Sequence, residues 1–118
     1  MPVSVFHVDD SESYRMLVAQ MLEPGDAVKV VGGAGDPEAA LAGVEQARPD
    51  VVLLDQIGDA ALIGRLREAA PGLRVVILSG YPRENADPDV VAAADGYVVK
   101  SGDLHELCAN VLAAARGE

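Results

Sequence analysis

The chain has no tryptophan, one phenylalanine and three tyrosines in 118 residues, so its core must be assembled from Val, Leu, Ile and Ala. Side chains of that kind favour strands packed closely against helices. A single cysteine, Cys108, excludes an internal disulfide and a cysteine-built zinc cage, which points to a reducing, cytoplasmic setting. Basic residues are scarce: nine Lys plus Arg stand against nineteen Asp plus Glu, a formal charge of -10. That balance repels polyphosphate backbones and anionic lipid, so no direct nucleic-acid binding by this domain and no membrane contact are expected. No apolar run approaches the roughly eighteen residues that cross a bilayer, and the start lacks a basic segment followed by an apolar one. The length suits one domain, 1–118, with one core and one site.

What is present is an alternation of two periods. Apolar, β-branched runs at Val3 to Val8, Ala27 to Val31, Val51 to Leu54, Leu73 to Leu78 and Gly96 to Val99 read as strands. The runs at 51–54 and 75–78 are continuous, as in strands buried on both faces of a parallel sheet. Between them the spacing turns helical. Ser11 to Leu22 puts Tyr14, Leu17, Val18, Met21 and Leu22 on one face and is closed by Glu23-Pro24-Gly25. Asp36-Pro37 caps a second helix whose far end Pro49 limits. Asp59 to Ala70 is a third, stopped by Pro71-Gly72, and Pro88 to Ala94 a short fourth. Leu104, Leu107, Cys108, Val111, Leu112 and Ala115 form the stripe of a fifth behind a Ser101 cap. Five strands alternating with five helices predict an α/β fold: a doubly wound, five-stranded parallel sheet covered on both faces. By analogy with sheets of this size, the strand order is 2-1-3-4-5 and the ligand crevice lies at the carboxyl ends of strands 1 and 3.

The residues that follow each strand carry the chemistry. Strand 1 ends at Asp9-Asp10, strand 3 at Asp55, strand 4 at Ser79, and strand 5 runs into Lys100. Neighbouring strands about 4.8 Å apart bring these ends within roughly 10 Å of one another. Three carboxylates against one ammonium need a further cation, and Mg²⁺ suits all-oxygen ligation with retained waters. A carboxylate beside a metal and a lysine is also equipped to become an acyl phosphate. Each residue alone also fits an ordinary role: Asp9-Asp10 a solvated turn, Asp55 a helix cap, Ser79-Gly80 a turn, Lys100 a surface charge. It is their joint occurrence at strand ends, in the order the chemistry requires, that singles them out.

With these residues in hand, the chain resembles the receiver domains of bacterial two-component response regulators over essentially its whole length. The pattern comprises Asp9-Asp10, Asp55, Ser79-Gly80 and Tyr97 three residues before Lys100. The resemblance implies the flavodoxin-like (βα)5 fold and a sensor histidine kinase as partner. It implies that Asp10 ligates Mg²⁺ (or Mn²⁺) directly, Asp9 mostly through water, and Asp55 both ligates the metal and attacks the kinase phosphohistidine. Ile57 would lend its backbone carbonyl to the metal, Lys100 would pair with phosphoryl oxygens, and Ser79 would donate a hydrogen bond to one of them. Tyr97 would turn inward with Ser79 and repack the face made by helix 4, strand 5 and helix 5; it also fits a half-buried edge aromatic. The RPDVVLLD, ADGYVVKSG and ARGE stretches are most similar to receivers that precede LuxR-type helix-turn-helix domains. The resemblance thus implies either a missing C-terminal DNA-binding domain or a receiver acting alone, and it allows a homodimer.

Departures from the family pattern shape further expectations. After Asp55 the chain reads Gln56-Ile57-Gly58-Asp59, shorter than usual and with glycine in place of proline, so Mg²⁺ binding without phosphate should be weak. Ser101 follows Lys100 where many receivers carry proline, so no slow cis isomer is expected there. Ile57 and Tyr81 flank the path of water to an acyl phosphate and should prolong its life. His7, in an apolar strand, reads as a satisfied core histidine; His105 lies off the helical stripe and reads as solvated; Cys108 reads as core packing. The Gly32 to Gly35 run reads as a flexible connection, because no GxxxxGK[ST] pattern surrounds it. Three other readings compete: a receiver-like interaction module that works without phosphorylation, an aspartyl phosphatase, and a flavin-binding domain. The phosphatase would need a DxD after strand 1, and the flavin site more aromatics than this chain has.

Overall fold

A computed structural model describes residues 2–55, 60–100 and 104–117, with side chains from 106 onward in the last segment. The elements are β1 (Val3–Val8), α1 (Glu12–Leu22), β2 (Val28–Ala34), α2 (Pro37–Ala47), β3 (Val51–Leu54), α3 (Ala60–Ala69), β4 (Arg74–Ser79), α4 (Pro88–Ala93), β5 (Gly96–Val99) and α5 (Leu104–Ala115). The sheet order is β2-β1-β3-β4-β5, and every pairing is parallel. Every residue of β3 is buried, as its unbroken apolar run requires of a central strand. One face of the sheet packs Phe6, Val8, Leu54 and Ile77 against α2, α3 and α4. The other packs Val5, Leu53, Val76 and Leu78 against α1 and α5, where the half-buried Cys108 joins the core. Among the described residues no helix is long and apolar enough to cross a membrane.

Helix starts follow their caps. The Ser11 hydroxyl accepts from the Tyr14 amide and Asp36 from the Ala39 amide, so α1 and α2 begin one residue after each cap. Helix α2 stops where Arg48 adopts a left-handed conformation just before Pro49. The expectations for Ile57, the Ser101 cap, an Asp59 start to α3 and the His105 side chain lie outside the described residues.

The glycine run corrects the sequence reading. Strand β2 does not end at Val31 and give way to a flexible connection; it continues through Gly32 and Gly33 to Ala34, which pairs with Val8. The register slips beside Phe6, leaving Val31 as the extra residue of a bulge. A β-carbon on Gly32 would stand 2.9 Å from the Phe6 ring, and one on Gly43 of α2 only 2.5 Å from it. The single phenylalanine is therefore seated between two glycines on different elements. Glycine here serves close packing within a strand rather than freedom of a loop.

Candidate functional site

The site is built by extending the strand ladders one residue past their ends. The Asp9 amide donates to the Ala34 carbonyl at 3.0 Å and the Asp55 amide to the Val8 carbonyl at 2.8 Å, which sets the two aspartates side by side. The Lys100 amide donates to the Ser79 carbonyl at 2.6 Å in the same way. Asp9 is buried, Asp55 half-buried and Asp10 exposed, and the three offer carboxylate oxygens within 4.8 Å of one another. Lys100 Nζ reaches between two of them, 2.9 Å from Asp9 Oδ2 and 3.0 Å from Asp55 Oδ1. The other Asp9 oxygen accepts from the Ser11 amide at 2.9 Å, and the Arg15 guanidinium donates to the Asp9 carbonyl.

Three carboxylates and one ammonium leave a formal excess of two negative charges in a partly desolvated hollow. An all-oxygen donor set of that charge fits a hard divalent cation such as Mg²⁺ or Ca²⁺. The electrostatics agree. Burial is the largest single influence on Asp9 and opposes its charge, yet the Lys100 and Ser11 hydrogen bonds outweigh it and hold the carboxyl below its ordinary range. For Lys100, burial again opposes the charge, and the hydrogen bonds to Asp9 and Asp55 reverse it, so the ammonium is held above its ordinary value.

Ser79 ends β4 fully buried, and its hydroxyl accepts from the Tyr81 amide at 3.0 Å. The Tyr97 hydroxyl donates to the Tyr81 carbonyl at 2.7 Å while its half-buried ring packs on the α2–α3–α4 core. Ser79 and Tyr97 thus hold the same residue of the β4–α4 loop from two sides. The Tyr81 side chain itself is 61% exposed.

Three features escaped the sequence reading. His7 is not a satisfied core histidine: it is buried, and neither ring nitrogen has a hydrogen-bond partner among the described residues. Its Nε2 lies 4.0 Å from Asp9 Oδ2, because residues two apart on a strand share a face. Burial, with the Lys100 and Arg15 charges adding to it against the pull of Asp9 and Asp55, lowers its pKa to about 4. Tyr14 is the second; its ring meets His7 edge-on at 6.0 Å, lies 4.5 Å beneath Lys100 Nζ, and its hydroxyl is buried without a partner among the described residues. The third is Arg15. A polar residue two places before the acidic pair was the available signal for His7; nothing in the helical period distinguished Tyr14 from a core residue.

Known proteins share this fold and much of this sequence. The family model for the response regulator receiver domain matches residues 5–112. The DNA-binding transcriptional activator DevR/DosR of Mycobacterium tuberculosis is 41% identical over 103 residues, covering 83% of this chain and 48% of that protein. The chain spans about half or less of the length of the first curated relatives it matches. Among solved structures, the signal receiver domain of a NarL response regulator from M. tuberculosis superposes with a TM-score of 0.83 at 29% identity, covering 99% of this chain and 98% of that one. A response regulator from Burkholderia pseudomallei, solved with a phosphorylated aspartic acid, calcium ion and citrate, gives 0.76 at 25%, covering 97% and 69%.

Proposed function

We propose that this chain, which belongs to the response regulator receiver domain family of two-component systems, accepts a phosphoryl group on Asp55 from the phosphohistidine of a sensor kinase. The observation that carries the reading is Lys100 bridging Asp55 and Asp9 beside a third carboxylate, Asp10. A structural ion pair needs one acid; three around one base are a site prepared for added positive charge and then for a phosphate. An Asp55 oxygen attacks phosphorus, the new O–P bond forms in line with the breaking P–N bond, and the imidazole departs with its electron pair. Lys100, already 3.0 Å from Asp55, neutralises charge on the transferring group. Asp9, Asp10, Asp55 and the Ile57 carbonyl would hold Mg²⁺ or Mn²⁺, which supplies alignment and charge neutralisation when bound. The phosphorylated aspartate and calcium of the B. pseudomallei relative support the same use of the pocket.

Ser79 then exchanges the Tyr81 amide for a phosphoryl oxygen. Since Tyr97 is anchored on that same residue, the exchange moves the β4–α4 loop and repacks the α4–β5–α5 face, the surface for a homodimer or an output partner. Ile57 and the bulky Tyr81 restrict water at the acyl phosphate and lengthen its life. The output, by likeness to DevR/DosR, is control of transcription through a DNA-binding domain outside this sequence.

The test is mass spectrometry after incubation with acetyl phosphate and Mg²⁺. The wild type should gain one phosphoryl group and Asp55→Ala none. No gain in the wild type would leave the phosphorylation-independent interaction module, a reading favoured by the short Gln56 to Asp59 stretch. Steady turnover of a phosphate ester would instead indicate the aspartyl phosphatase.

A further inference from the structure

We infer that His7 is a positioning residue for Asp9, held in reserve as the hydrogen-bond donor that replaces Lys100 when Lys100 is drawn onto a phosphoryl group at Asp55. The inference rests on the phosphoacceptor reading above. In the structure Lys100 Nζ is shared between Asp9 Oδ2 and Asp55 Oδ1. A phosphoryl group on Asp55 adds oxygens and negative charge on that side, and the ammonium follows them. Asp9 Oδ2 then loses its donor. Asp9 is 1% exposed, so bulk water cannot freely replace the lost bond, and an ionised oxygen left short of donors in that position is costly.

An unpartnered group within reach is the His7 ring. Its Nε2 is 4.0 Å from Asp9 Oδ2, about 1 Å beyond hydrogen-bonding distance, and both ring nitrogens lack partners among the described residues. A buried polar ring with no partner is unfavourable for the resting fold, as an apolar residue would not be, and the completed bond would remove that cost in the phosphorylated state. There is room for the small rotation required. His7 borders a cleft of about 280 Å³ between α1 and β2, and a β-carbon on Gly33 would stand 3.0 Å from the His7 carbonyl and 3.2 Å from Arg15 on that side. On its other flank the ring touches Tyr14 edge-on, a contact that tolerates rotation better than a hydrogen bond does. In this arrangement the ring carries its proton on Nε2, Asp9 keeps its orientation throughout the cycle, and Lys100 is released without leaving Asp9 Oδ2 short of a hydrogen-bond donor.

The experiment uses the whole chain with ¹⁵N-labelled histidine, beryllofluoride as the phosphoryl probe, and Mg²⁺. On adding the probe, the His7 Nε2–H resonance should shift downfield, as expected of a proton entering a bond to a carboxylate, while the His105 resonances stay in place. His7→Leu should bind beryllofluoride about tenfold more weakly, the scale of one bond to a charged group. His7→Gln, whose amide can present a donor in the same place, should stay within about threefold of the wild type. An unmoved His7 signal in a saturated complex, or equal affinities for all three proteins, overturns the inference while leaving phosphorylation of Asp55 intact. Failure of the wild type to bind the probe overturns both readings. Should His7→Leu not fold, the resonance of the labelled wild type decides.

Discussion

At the amino end of the sheet one carboxylate, Asp95, is surrounded by donors, whereas at the carboxyl end Asp9 and Asp55 share one lysine with Asp10 beside them. Asp95 Oδ2 accepts from the Val75 amide at 2.7 Å and from Arg67 at 3.0 Å, with Arg74 3.6 Å from the other oxygen. Arg67 goes on to the carbonyls of Leu73 and Ala93, so the cluster ties α3, α4 and the starts of β4 and β5 together. Every partner has a use in the resting fold. The carboxyl end lacks that balance: its charges are unequal, and the nitrogens of His7 and hydroxyl of Tyr14, without partners among the described residues, lie beside it. A saturated cluster is a fastening, and a deficient one is built to receive something. Stability given up at such a place is the ordinary cost of a working site.

That contrast can be broken by measurement. The largest effect should come from acid. His7 has a folded-state pKa of about 4 against 6.5 in the open chain, so the unfolded state takes up a proton first. Its contribution is complete above about pH 6.5, declines as the pH falls, and is lost on passing through 4. Urea unfolding should therefore show about 3 kcal/mol less stability near pH 4 than at pH 7, and His7→Leu should lose most of that slope. An equal slope in the variant would mean that another group titrates there.

Next in size is Asp95→Ala, expected to cost about 2 kcal/mol by stripping the Val75 amide and Arg67 of a partner, with phosphoryl uptake by Asp55 unchanged. If uptake fell with stability, the two ends would not be separable. At the carboxyl end the sign should reverse. Tyr14→Phe removes a buried hydroxyl without a partner and should raise the unfolding free energy by about 1 kcal/mol while keeping the ring under Lys100. Smallest is Asp10→Asn: the midpoint in chelator should rise slightly as like charges are relieved, and the Mg²⁺-induced rise expected of the wild type should vanish. Mg²⁺ that still stabilised the variant would move the cation away from this cluster.

Much of this was readable from the chain. Continuous apolar runs against helical stripes determined five strands and five helices, because burial on two faces or one leaves a different spacing in each. Position at strand ends marked Asp9, Asp10, Asp55 and Lys100, since parallel strands deliver their carboxyl ends to one edge. Local pattern is silent about contacts between distant segments. Only the folded structure decided that Gly32 and Gly43 both make room for Phe6, that β2 runs on to Ala34, and that the polar atoms of His7 and Tyr14 stand without partners among the described residues beneath the site. Those facts depend on which side chains meet across elements, and periodicity along one element cannot record what faces it.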